Sequence, residues 1–364
     1  MDERSCWIGF SVFPGIGPVR FRLLLEYFGS AEAAWRASDT ELAAIKLNER
    51  IRVEFIRFRK TFDISEYRKK LETLHVGTLT LQDKKYPAHL AQISDAPFVL
   101  YVKGSQPKVP LDLSRTIGVV GTRHVTSYGS EVTERLVAEL VSYGFTIVSG
   151  LAYGVDAIAH KVAMDKGGNT IAVLGCGIDI IAPPSNANLY TQIVAGYGAI
   201  VSEMPLGMRP SKGLFPARNR IISGLSLGIV VTEGADDSGA LITARYAGEQ
   251  GREVFAVPGP ITSPYSRGPA KLLKNGAKLV ESAKDILDEL GMSEIPRFEA
   301  KYSAYGETKE ERQIIESLQK ERMHIDMLVH RTNLTIAQVA ATLTVLEMRN
   351  IVKDFGEKTY GLCS

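Results

Sequence analysis

The chain is poor in the residues that most often announce chemistry. It has only three cysteines in 364 residues, Cys6, Cys176 and Cys363. Their odd number and wide spacing argue against a disulfide framework and a zinc-ligand pattern, and point to reduced thiols in a cytoplasmic protein. No apolar run is long enough to span a bilayer, and the start of the chain lacks a signal-peptide pattern, so no membrane role is expected. An excess of one charge is missing too: 43 Lys and Arg stand against 41 Asp and Glu, for a net charge of +2. Residues 1–75 hold 13 cations against 11 anions, and residues 301–364 hold nine of each. Any nucleic-acid site must therefore be a local patch and not a broadly basic surface. There is no P-loop lysine motif, and no strand-to-helix turn carries the full dinucleotide fingerprint with its downstream acid. Those absences disfavour P-loop chemistry and a dinucleotide oxidoreductase. No metal constellation is visible and no cofactor is expected.

What is present describes a globular protein of two or three domains, with 45% hydrophobic and 23% charged residues. Residues 1–75 read as a helical domain. Pro14, Gly15, Gly17 and Pro18 make a tight turn, after which Phe21, Leu24, Leu25 and Phe28 recur at helical spacing. This resembles a helix–hairpin–helix or SAM-like module, and a plain packing turn is an equal alternative. Arg50, Arg52, Arg57, Arg59 and Lys60 read as a solvated helix face.

Residues 76–290 alternate strands and helices. Short β-branched runs (Thr116–Val120, Thr146–Val148, Thr170–Leu174, Ala199–Val201, Leu227–Thr232, Glu253–Val257) each end in a turn, most of them glycine-bearing. The pattern predicts an α/β fold: an extended Rossmann-like, doubly wound parallel sheet with ligands bound beyond the carboxyl ends of its strands. Gly121-Thr122-Arg123 and Ser149-Gly150 lie at such ends, and Arg123 is well placed to clamp a phosphate. Glu203 and Glu233 also end strands and could serve as acid–base groups, whereas Asp156, His160 and Asp179 read as structural braces.

The most informative stretch is Ser211–Gly224. It gathers Lys212, Arg218 and Arg220, the amide of Asn219 and the aromatic Phe215 within nine residues, at a helix start marked by Pro216. Cations beside the positive end of a helix dipole suggest a bound anion, and the neighbouring aromatic suggests a stacked base. If Arg123, Lys212, Arg218 and Arg220 neutralise about four phosphates, affinity for a single strand should fall with salt with a slope of roughly −3.

The motifs Gly118–Arg123, Ser149–Asp156 with Ala159-His160, Gly175–Asp179, Phe215–Gly224, Ser238–Ala244 and Val257–Gly259, in this order, resemble the DNA-processing protein DprA (Smf) family. The resemblance implies a non-enzymatic, single-stranded DNA-binding protein. Such a protein dimerises through its Rossmann-like domain, protects incoming single strands and helps load the RecA recombinase in natural transformation. It implies DNA contacts at Arg123, Lys212, Phe215, Arg218, Asn219 and Arg220, and the turns at the same sheet edge add Gly121, Thr122, Ser149, Gly150, Ser238 and Gly239 as candidate DNA contacts. Ile180–Ser185 departs from the family's usual Tyr-Pro. More distantly, the sheet resembles nucleotide phosphoribohydrolases, the alternative reading, but their Pro-Gly-Gly-x-Gly-Thr loop is not found.

After a linker at residues 291–307, residues 308–364 read as three helices and a hairpin, a winged-helix pattern with Thr335 and Gln338 as a capping box. Its third helix carries almost no cation. That favours a protein-interaction or accessory role over duplex reading, with at most a weaker contact to double-stranded DNA.

Overall fold

The computed structural model of the chain describes residues 2–45, 47–104, 113–292, 308–318, 322–349 and 351–362. Most of the expected linker, part of the expected loop at 104–110, and Cys363 lie outside the described residues. The described residues fall into two compact units, one comprising residues from 2–141 and 145–292, the other residues 142–144 together with those from 308–362.

The larger unit is built on nine strands: β1 (Gly77–Thr80), β2 (Val99–Lys103), β3 (Thr116–Val120), β4 (Thr146–Ser149), β5 (Thr170–Leu174), β6 (Gly198–Ser202), β7 (Gly228–Val231), β8 (Glu253–Ala256) and β9 (Lys278–Leu279). Their spatial order is β1-β2-β6-β5-β4-β3-β7-β8-β9. From β6 to β9 every neighbouring pair is parallel. The sheet is mixed, because β2 joins β6, and β1 joins β2, in antiparallel sense. β3, β4, β5, β6 and β7 are buried along their whole length, as strands covered on both faces must be. The chain moves outward from β3 to β6 and then crosses back to place β7 beside β3. The carboxyl ends of β3 and β7 therefore flank a topological switch point, where a crevice opens.

Six helices lie between Glu3 and Thr73 among the described residues of the same unit, and the first of them packs against β2. Trp7, Phe10, Phe21, Trp35 and Phe55 form an aromatic core, and Phe21 stacks on Phe98 with ring centroids 4.0 Å apart. Ser11 Oγ and Tyr101 OH, 2.7 Å apart, tie the first helix to β2. Pro18 opens its helix as expected, and Gly29, in left-handed conformation at φ 78°, closes it.

The smaller unit has helices Lys309–Leu318, Ile325–Thr332 and Ile336–Met348 and a sheet of β10 (Met323–His324), β11 (Val352–Asp354) and β12 (Thr359–Leu362), with β12 central. Thr335 caps the third helix reciprocally with Gln338. Among the described residues, no helix is long and apolar enough to cross a membrane.

Candidate nucleic-acid interface

A cleft of about 560 Å³ opens at the switch point. One wall is the turn after β3, Gly121–His124, fixed by Thr122 N donating to Glu233 O at 2.7 Å and Val155 N donating to Thr122 O at 3.2 Å. A second wall is Lys212 with the first turns of the helix Leu214–Leu225, presenting Phe215, Pro216, Arg218 and Asn219. The third is the segment Ala235–Gly239 and the first turn of the helix Gly239–Glu249. Asn219 Nδ2 donates to Gly239 O at 3.2 Å, so the two helix starts are fastened together. The Arg123 guanidinium lies 5.6 Å from the centroid of the Phe215 ring, and both Arg123 and Lys212 are exposed. The cleft thus offers the Phe215 ring, two solvent-facing cations and the start of a helix at Ser238-Gly239. That combination suits a base and its phosphates.

Nine of the twelve residues singled out from the sequence line this cleft: Gly121, Thr122, Arg123, Lys212, Phe215, Arg218, Asn219, Ser238 and Gly239. Three do not, and two of the arginines are engaged within the protein. Arg220 is 5% exposed and sits on the opposite side of its helix, forked onto Glu203 at 2.7 and 3.0 Å and bonded to Asp95 at 2.8 Å. Two carboxylates already take its donors, and it does not line the cleft. Arg218 is 4% exposed. Its guanidinium donates inward to the carbonyls of Gly150 and Val173, and Nε donates to Asn219 Oδ1. It lines the cleft floor with Nε and Nη1 committed to the protein's own acceptors. Ser149 is fully buried and donates to Val119 O, and Gly150 leaves room for Arg218, since a Cβ there would collide with the guanidinium. The glutamates raised as acid–base candidates are also engaged. Glu203 holds Arg220, while Glu233 accepts from Thr126 N at 2.9 Å and Thr126 Oγ1 at 2.7 Å.

The family model described as DNA recombination-mediator protein A matches residues 77–291, more than half of the chain. The chain belongs to this family. A second model, the DprA winged helix domain, matches residues 299–353. Protein Smf of a Synechocystis species is 39% identical over 297 residues, spanning 80% of this chain and 73% of its own length. The Bacillus subtilis DNA processing protein DprA is 46% identical over 215 residues, 59% of this chain and 71% of its own. Among solved structures, DprA from Streptococcus pneumoniae aligns with a TM-score of 0.70 at 35% identity, covering 79% of this chain and 99% of its own. The Helicobacter pylori DprA structure, reported for its single-stranded DNA binding mode, aligns with a TM-score of 0.51 at 30% identity over 59% of this chain and 95% of its own.

In this member of the family, the loop behind the cleft is held by side chains from three elements. Leu151 adopts a left-handed φ of 56°, a conformation costing about 1–3 kcal/mol outside glycine. Its N–H donates to His160 Nε2 at 3.2 Å, and Asn186 Nδ2 donates to the carbonyls of Leu151 and Ala152. Asp156 accepts from Gly150 N at 3.0 Å and Ala152 N at 3.3 Å, and Asp179 accepts from Gly207 N. The two aspartates and His160 are therefore the braces expected of them. Asn186, the residue directly after the Ile180–Ser185 segment, thus supports the loop behind the cleft.

Burial, with Arg218 adding to it, lowers the His160 pKa to about 3, so the ring stays neutral in the fold. Below about pH 6.5 the unfolded chain gains a proton that the fold refuses, and stability falls by up to about 1.4 kcal/mol per pH unit on the way to pH 3. Burial raises the Asp156 carboxyl, which works in the opposite sense as pH falls. Comparison with His160→Gln isolates the histidine. Urea unfolding at pH 7 and pH 5 should show wild type losing about 2 kcal/mol more than the variant; equal losses would contradict a neutral buried ring.

Sequence reasoning missed Tyr265, Asp237, Ile242 and Thr243 in the lining. Thr243 and Ile242 lie one helical turn past Ser238-Gly239, so a helical projection from that motif would have found them. Tyr265 approaches from a distant turn, where its carbonyl accepts from Gly234 N at 2.7 Å, and only the fold brings it there.

Proposed function

We propose that this protein is a non-enzymatic single-stranded DNA-binding recombination mediator, and that the cleft between the ends of β3 and β7 holds the strand. The observation carrying this reading is Phe215 with the Arg123 guanidinium beside its ring and Lys212 at the lip, at a sheet's switch point. A base stacks on Phe215 while Arg123 and Lys212 hold its phosphates, and the turn amides at Gly121 and Gly239 take further oxygens. In the cell the protein would act in the cytoplasm as a homodimer through the sheet-bearing unit, protect incoming single strands and help load the RecA recombinase during natural transformation. Family membership and the named H. pylori relative support this part. The glutamates at the strand ends are occupied by the protein's own donors, which supports a binding over a phosphoribohydrolase role. Incubation with nucleoside monophosphates should release no base.

The corrected cation count changes the salt dependence expected. Two phosphates neutralised by Arg123 and Lys212 give a slope of about −1.4 for an oligonucleotide confined to the cleft. A fourfold rise in salt then weakens binding about sevenfold. Fluorescence anisotropy with a short oligo(dT) at several salt concentrations measures it. A slope near −3 would restore Arg218 and Arg220 as clamps, and a slope near zero would remove phosphate contacts altogether.

A further inference from the structure

A second concavity, of about 410 Å³, lies on the far side of the helix Leu214–Leu225, between that helix and the N-terminal Pro14–Pro18 turn. Its lining is largely apolar and includes Phe13, Phe98, Met204, Met208, Leu214 and Ala217, and the buried Glu203–Arg220 pair also reaches it. Leu214 and Ala217 face this pocket, while Phe215 and Arg218, each one residue on, face the cleft. One helical turn therefore separates two ligand-sized spaces, with only the roughly 10–12 Å width of a helix between them. The chain that passes between them, residues 209–213, is exposed throughout and carries Arg209 and Lys212. Met208, at one end, lines the apolar pocket, and Lys212, near the other, lines the cleft.

We propose that this pocket is a second base-binding subsite for the same single strand. The proposal rests on the reading of the cleft as a single-stranded DNA site. The strand leaves Phe215, crosses the ridge with its phosphates on Lys212 and Arg209, and buries a later base against Phe13, Met208 and Leu214. Charge on the ridge matches the backbone, and an apolar hollow with one polar end matches a planar base with polar edges. At about 3.4 Å per nucleotide, a stacked strand spans the helix in three or four nucleotides. Prolines at 14, 18, 97 and 205 stiffen the walls, so the pocket is largely pre-formed.

The test scans 2-aminopurine through a twelve-nucleotide strand bound to the full chain. Two groups of positions, a few nucleotides apart, should change fluorescence on binding. Phe215→Ala should abolish the response of one group and leave the other. Met208→Trp, which fills the pocket, should do the reverse, and should cost the twelve-nucleotide strand about five- to 150-fold in affinity with no loss for a strand of four. Ala217→Leu fills the same space from the helix and gives the same readout should Met208→Trp fail to fold. A single responsive group, or unchanged signals in the folded pocket variants, overturns the subsite; binding of an apolar peptide that Met208→Trp blocks while the DNA signals persist does so too. If Phe215→Ala alters no position, it is the cleft assignment that fails.

Discussion

Replacing Arg220 with alanine should destabilise the protein by about 3–5 kcal/mol, the largest single effect expected outside the aromatic core. The guanidinium is nearly buried between Glu203, forked across both of its oxygens, and Asp95. Removing it leaves Glu203, 11% exposed at the side chain, as an uncompensated carboxylate that burial already pushes upward. The loss follows from the stranded charge more than from the attraction forgone. Denaturant unfolding measures the drop. The fraction that stays folded should keep the wild-type salt slope for a cleft-length strand, because Arg220 contributes no phosphate contact there. Normal stability with a flattened slope would reverse the assignment.

Phe215→Ala is expected to cost about 1–3 kcal/mol of single-strand affinity, roughly five- to 150-fold, at almost unchanged stability, since the ring is only half-buried. Stacking releases no counterion, so affinity falls in parallel at every salt concentration. Arg123→Ala should instead flatten the slope by about 0.7. The two are not independent, because Arg123 lies against the Phe215 ring, and loss of the ring frees the guanidinium from its place. A double-mutant cycle in binding should therefore show a coupling of about 0.5–1 kcal/mol. Equal additivity would separate the ring from the cation.

Much of the architecture was legible because each strand of the central sheet is a short β-branched run ending in a turn, and because Thr335 and Gln338 sit at capping-box spacing. The antiparallel pairing of β1 and β2 was not. Gly77–Thr80 is four residues with one buried position, too short a signal against any template. At the site, local composition located a helix that lines the cleft, but not which of its cations face it. Arg218 and Arg220 are two residues apart, about 200° around a helix, so they cannot share a face. That much was readable. Their partners were not: Asp95, Gly150 and Val173 lie 45 to 125 residues away in sequence, and only the packed fold shows that both arginines already bond within the protein. Cations that compose a sequence motif are thus divided here between facing the cleft and bracing it.

The central claim is that single-stranded DNA occupies the cleft at the switch point with a base on Phe215. Ultraviolet crosslinking of the full chain to oligo(dT), followed by mass spectrometry of the crosslinked peptides, tests it most directly. The account predicts crosslinks on the peptide bearing Phe215, lost in Phe215→Ala and reduced in the Arg123→Ala, Lys212→Ala double variant. Crosslinks confined to the N-terminal helices or to residues 308–362, unchanged in those variants, would contradict it.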